Sequence, residues 1–353
     1  MPGDHLVLAA PIQYCCVSIA FESPMLQNYF IFNTCKPIAL AVETPSQVIN
    51  TMRCLFLLGA HRSGTTWLHQ LLAPSKQISC ITYWDVLQQL RQDEPPLDRD
   101  EVQKALDRDG DSRGFDGVAV GLDLPEEYGF LLEQGAFDMY TRRPVSNTCF
   151  APLQQLIAKK NAQAEQPPWL LLKNPVDFYD GFLNIATQFP DGKFIFLHRH
   201  PLAVFRSQVM AWRHLAKSHN TYLAILDPTY AEVMANPRAK VALQFSLHSR
   251  SFLETMLLML AESFDFHLGH EKDLDHQAIR LRYEDLCRDP VPELHRISSW
   301  LGLADGLVAP ERLSSQPRKL TNDPLIQEVY AAHAHRFEAY RQWLGYSIEE
   351  SPL

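Results

Sequence analysis

The chain has 353 residues, 46% hydrophobic and 21% charged, the balance of a soluble globular protein and not of an extended disordered one. Its formal net charge of −9 argues against nucleic acid as a partner, because phosphate backbones are bound through basic surfaces. Seven cysteines, at 15, 16, 35, 54, 80, 149 and 287, show neither paired spacing nor a zinc pattern, so the expected setting is reduced and cytoplasmic.

In chain order, His5 to Phe21 is apolar but interrupted by Pro11 and Gln13, shorter than a bilayer span and without a basic leader. It reads as an added strand or packing arm, so residues 1–50 are expected to be an extension packed on a single domain spanning 51–353. Cys54 to Leu58 is a strand pattern, and Trp67, Leu68, Leu71 and Leu72 follow at helical spacing. Between them, Gly59-Ala-His-Arg-Ser-Gly-Thr-Thr66 is a tight loop of phosphate size. There the backbone N–H groups of Ser63, Gly64, Thr65 and Thr66 would meet a phosphate or sulfate at the positive end of the helix dipole. A strand-to-helix turn without ligand is the plain alternative. A triphosphate-hydrolysing loop needs a lysine just after its second glycine, and Thr65 stands there. Arg62 offers a forked cation in its stead, which suits sulfuryl transfer better than magnesium-dependent hydrolysis.

Asp85, in Thr82-Tyr-Trp-Asp85, precedes a helical run Val86 to Leu90 and reads as a cap or a base. Arg91 to Gly121 is acid-rich and broken by Pro and Gly, with a helical pattern around Val102 to Leu106; residues from about 88 to 165 are expected to form an acceptor-side insertion or lid. Asp107, Asp109 and Asp111 look like a calcium loop, but Ser112 and Val118 stand where glycine and glutamate are required, so no metal is expected. Pro125-Glu-Glu-Tyr-Gly-Phe130 reads as a helix start, with Glu126 and Glu127 on a solvated face or greeting a cationic acceptor. Trp169 to Lys173 is a buried strand tipped by lysine, and Asp177 lies four residues further on, as cap or base. Phe194 to Leu197 is another strand buried on both faces, Pro201 opens a helix, and Arg199 and Ser207 can both face a second phosphate. Asn236 to Phe264 shows one long helical pattern assigned to core packing; a strand near 279–283 and a helix from Asp289-Pro290 to Leu301, stopped at Gly302, complete the pattern.

Three segments in this order, Gly59 to Leu68, Lys193 to Ser207 and Leu281-Arg-Tyr-Glu-Asp-Leu-Cys-Arg-Asp-Pro290, resemble the sulfotransferases that use 3′-phosphoadenosine 5′-phosphosulfate (PAPS), in their bacterial and tyrosylprotein branches. The resemblance implies a three-layer α/β fold of the P-loop nucleotide-kinase type with a central parallel sheet, whose ligands lie at the carboxyl ends of the strands. It implies that Arg62, Ser63, Gly64, Thr65, Thr66 and Trp67 hold the phosphosulfate. Arg199 and Ser207, eight residues apart as in the family, would hold the 3′-phosphate, and Tyr283 would pack near the adenine. Arg62 and Lys173 would stabilise the leaving phosphate. The base would be Asp85, where relatives tend to carry glutamate, or Asp177, where many carry histidine, with His61 a further candidate. The product would be 3′-phosphoadenosine 5′-phosphate, and the acceptor a hydroxyl or amine of a small molecule, bound by the divergent segments 74–165 and 205–265. Pro317-Arg-Lys-Leu320 would close over the nucleotide. The rival readings are a P-loop small-molecule or nucleotide kinase, and a nucleotide-binding protein without turnover.

Overall fold

Five apolar runs pair edge to edge into one parallel sheet in a computed structural model that describes residues 53–92, 94–108, 113, 118–132, 150–163, 169–217, 219–307 and 323–346. All of these belong to the unit Pro37–Leu353. The expected N-terminal extension, residues 1–50, and the Pro317 to Leu320 segment lie outside the described residues. The chain runs β1 (Arg53–Leu58), α1 (Thr65–Leu72), β2 (Ile78–Cys80), α2 (Tyr83–Leu90), α3 (Arg99–Asp107) and α4 (Ala151–Gln163). It continues through β3 (Trp169–Lys173), α5 (Phe182–Gln188), β4 (Lys193–His198), α6 (Pro201–Leu215), α7 (Thr221–Leu226), α8 (Pro228–Ala235), α9 (Pro237–Ser246) and α10 (Arg250–His270). After β5 (Ala278–Arg282) come α11 (Tyr283–Arg288), α12 (Pro290–Leu301), α13 (Pro324–His333) and α14 (Glu338–Trp343).

The strand order is β2-β3-β1-β4-β5, so β1 is central and the chain leaves it to build strands on both sides. Such a reversal opens a crevice at the carboxyl ends, and it falls at the loop after β1. The central strands are apolar throughout because both faces are covered. Leu55, Leu57, Leu171, Ile195, Leu197 and Leu281 point to one side, where α1 and α12 pack through Leu68, Leu72, Leu294 and Ile297. Phe56, Leu58, Leu170, Leu172, Phe194 and Phe196 point to the other, under a larger core that includes α2, α4, α6 and α10. Two helical layers around a sheet make the three-layer α/β fold that the sequence implied. Among the described residues, no helix is long and apolar enough to cross a membrane.

Two expectations are corrected. The Asn236 to Phe264 pattern is not one helix: α9 ends at Ser246, and Ser249 starts α10 by accepting the Phe252 N–H at 3.2 Å. Val241 and Phe245 on α9 are 50% and 77% exposed while Ala239 and Leu243 are buried, so the predicted positions form a buried stripe only on the second helix. Pro125 to Phe130 is not a solvated helix start either. Pro125 bridges Thr82, Glu127 bridges Lys173, and a 3-10 turn begins only at Tyr128. Glu126 and Glu127 are buried, because the backbone is held extended against the sheet by bonds such as Glu126 N–H to Ile81 C=O at 2.9 Å.

Candidate active site

The loop between β1 and α1 is built around two unusual backbone positions. Gly64 caps α1 at φ 101°, and no side chain bonds the helix start, which leaves the first amides for an anion. A Cβ at Gly64 would stand 2.3 Å from Tyr283 Cδ2, so the glycine is required for both its φ and its lack of bulk. Arg62, at φ 72°, is the only non-glycine residue with positive φ among the described residues. That conformation costs about 1–2 kcal/mol, and such strain persists where the surroundings over-determine it.

Those surroundings are the residues the sequence singled out. Arg62 Nε donates to Ser207 Oγ at 3.2 Å, and Arg199 Nη1 donates to the Arg62 carbonyl at 3.0 Å. The Arg199 guanidinium lies over the Tyr283 ring at 4.3 Å, and Trp67 meets the same ring edge-on at 5.9 Å. Burial, helped by nearby Arg62, pulls the Arg199 pKa below its ordinary value, although Tyr283 and Glu284 oppose this. Two guanidinium groups from β1–α1 and β4–α6 thus converge beside an uncapped helix start, an arrangement that an oxyanion would satisfy. Gln208, next to Ser207 on α6, ties down the loop from behind by donating to the His61 carbonyl at 2.9 Å.

Lys173 ends β3 level with Leu57 of β1, at the same rim of the sheet. Its ammonium is 1% exposed and forms an ion pair with the Glu127 carboxylate. Burial pushes the Glu127 pKa up, but Lys173 and then Arg113 and His61 outweigh it, and the net shift is downward. Asp177 is completely buried; Oδ2 accepts from Tyr128 Oη at 2.5 Å and from Asn174 Nδ2 at 2.8 Å. Burial pushes its pKa up to about 7 against those two hydrogen bonds. Asp85 completes a capping box with Thr82, accepting its N–H at 2.8 Å and its hydroxyl at 2.9 Å, and pairs with Lys160 at 2.5 Å.

A cavity of about 540 Å³ opens beside α1, with Thr66, His69, Tyr83, Glu126, Lys173 and Tyr222 in its wall. Neither Asp85 nor Asp177 lines it. Glu126 accepts the Tyr222 hydroxyl, and burial pushes its pKa up. Sequence reasoning missed two residues here. The sequence leaves Glu127 on a solvated face or greeting a cationic acceptor, and nothing local pairs it with Lys173. Nothing in the local sequence marks His69 as functional, although Thr66, His69, Gln70 and Ala73 keep the spacing of one helix face.

The sequence profile of the Sulfotransferase family matches residues 54–305, which include every site residue named above. No curated protein matches the chain significantly. Among solved structures, the sulfotransferase STF9 from Mycobacterium avium aligns at 18% identity and TM-score 0.51, covering 86% of this chain and 78% of that one. A sulfotransferase from Alicyclobacillus acidocaldarius aligns at 15% identity and TM-score 0.44, covering 84% and 98%. The former likeness concerns the fold; the profile match across most of the chain concerns descent. The chain belongs to the sulfotransferase family.

Proposed function

We propose that the protein transfers the sulfuryl group of PAPS to a hydroxyl or amine of a small-molecule acceptor, releasing 3′-phosphoadenosine 5′-phosphate, in the cytoplasm and without a metal ion. The observation that carries this reading is the cluster of Arg62, Ser207, Arg199 and Tyr283 around the uncapped start of α1. The amides of Ser63 to Thr66, with Trp67 beside them, would hold the phosphosulfate. Arg199 and Ser207 would hold the 3′-phosphate, and Tyr283 the adenine. Arg62 and Lys173 supply positive charge where the bridging oxygen leaves, which matters in a loose transition state whose charge builds on the leaving group. The acceptor would enter the cavity beside α1. Asp85 and Asp177, the bases expected from sequence, are engaged away from that cavity in a helix cap and a buried hydrogen-bonded nest.

Isothermal titration with 3′-phosphoadenosine 5′-phosphate, adenosine 5′-phosphate and ATP, with and without magnesium, tests the donor assignment. Binding of the first alone, abolished by Arg199→Ala, is expected. Tighter binding of ATP that requires magnesium would refute it and favour a kinase. Radiolabelled transfer from PAPS to a panel of phenols, alcohols and amines then tests turnover.

A further inference from the structure

We propose that His69 is the group that takes the proton from the acceptor, a catalytic role that rests on the sulfuryl-transfer reading above. His69 sits on α1 three residues after Thr66, about 4.5 Å further along the helix axis, so the helix that begins at the donor loop also carries this imidazole into the cavity wall. The side chain is 2% exposed, and its Nε2 has no hydrogen-bond partner among the described residues. A buried polar atom left in that state costs about 1–3 kcal/mol, a cost that an acceptor hydroxyl reaching Nε2 would remove.

The other basic groups in the wall are already engaged. The Glu126 carboxylate accepts the Tyr222 hydroxyl through one oxygen and the Glu127 N–H at 2.7 Å through the other. Asp123 pairs with Arg99 at 2.6 Å. Lys173, the ammonium nearest in role to the leaving group, acts electrostatically on His69, as do Glu127 and Arg113. Thr66 of the donor loop, the Lys173 cation and the imidazole therefore share the wall of one cavity.

The step balances without a further reactant. A lone pair of the acceptor oxygen forms the new S–O bond, the bond from sulfur to the bridging oxygen breaks with its electron pair going to the nucleotide phosphate, and the acceptor proton passes to Nε2 and later to water. Burial first, and the Lys173 charge second, hold the His69 pKa down at about 3, so the ring is neutral throughout the working range. A weak base suffices, because the acceptor proton becomes strongly acidic only as the S–O bond forms in a loose transition state.

The test uses the full chain and its H69Q and H69F variants, with a series of phenols from 4-methoxyphenol to 4-nitrophenol at mildly alkaline pH. Both variants are expected to bind 3′-phosphoadenosine 5′-phosphate as the wild type does. Transfer to 4-methoxyphenol should fall by about tenfold or more, below the roughly 10²–10⁴-fold of a base tuned to the working pH. Transfer to 4-nitrophenol, already ionised and in need of no base, should stay within about threefold of wild type. A loss of equal size along the whole series would show a packing role, and no loss for the weakly acidic phenols would show no role; either overturns the proposal. Failure of the wild type itself to bind the product nucleotide would instead overturn the sulfuryl-transfer reading, so the two failures are distinguishable.

Discussion

Breaking the Lys173–Glu127 pair gives the sharpest test of how the site is supported. Both side chains are shielded, at 1% and 10% exposure, and their backbones are bridged as well. Glu127→Gln leaves an ammonium in the interior with no carboxylate, and removing one partner of a buried pair costs about 3–5 kcal/mol. At about 2.1 cal/mol/K of unfolding entropy per residue, a domain of this length shifts by about 1.5 °C per kcal/mol, so thermal unfolding should fall by about 4–8 °C. Lys173→Met leaves the carboxylate behind, with protonation as an escape, and should cost less. The double variant removes both charges and should be more stable than the sum of the singles by about 2 kcal/mol or more, read from a double-mutant cycle in urea. Transfer from PAPS should drop by about 10²–10³-fold in Lys173→Met and in the double variant alike, because the cation proposed for the leaving oxygen is absent from both. Additive stability effects, or a Glu127→Gln cost under about 1 kcal/mol, would show that the pair is not the coupled unit described here.

Gly64→Ala combines a left-handed φ with a Cβ driven against Tyr283, so affinity for 3′-phosphoadenosine 5′-phosphate should fall about tenfold or more by calorimetry. Asp85→Ala removes a capping box and the Lys160 pair; it should lower stability by about 0.5–2 kcal/mol while kcat stays within about twofold, and a hundredfold loss of kcat would restore Asp85 as the base. His267 is fully buried, stacks on Phe178 at 4.9 Å, and has its pKa held at about 3 by burial. It is neutral in the fold but takes a proton in the unfolded chain below about pH 6.5, so its contribution is full above that pH and is lost as pH falls. Between about pH 7 and pH 5 the wild type should therefore lose about 2 kcal/mol more than His267→Phe, measured by urea denaturation at both pH values. Parallel losses would mean that His267 titrates normally in the fold.

The parts of this protein that depend on near neighbours in the chain are legible in its residues alone. The strand, loop and helix start around Gly59 to Leu68 are legible because an apolar run, two glycines and a helical repeat follow each other within a few residues. Lys173 and Arg199 could be placed at strand ends because buried parallel strands are continuous apolar runs that stop where polarity returns. The three-residue strand β2 left too short a run to read, and the break between α9 and α10 was hidden because exposed Val241 and Phe245 continue an apolar period that the core does not use. Tertiary structure alone decided the partners. Arg62 meets Ser207 across 145 positions, and Lys173 meets Glu127 across 46. No local pattern encodes such pairs, because they follow from the strand order that sets β3 and β4 on either side of β1. The same order turns one face of α1 toward the cavity, which gives His69 a place in its wall with Lys173, while Asp85 is drawn into a helix cap and Asp177 into a buried nest where Tyr128 and Asn174 bond one oxygen and leave Oδ1 without a partner among the described residues.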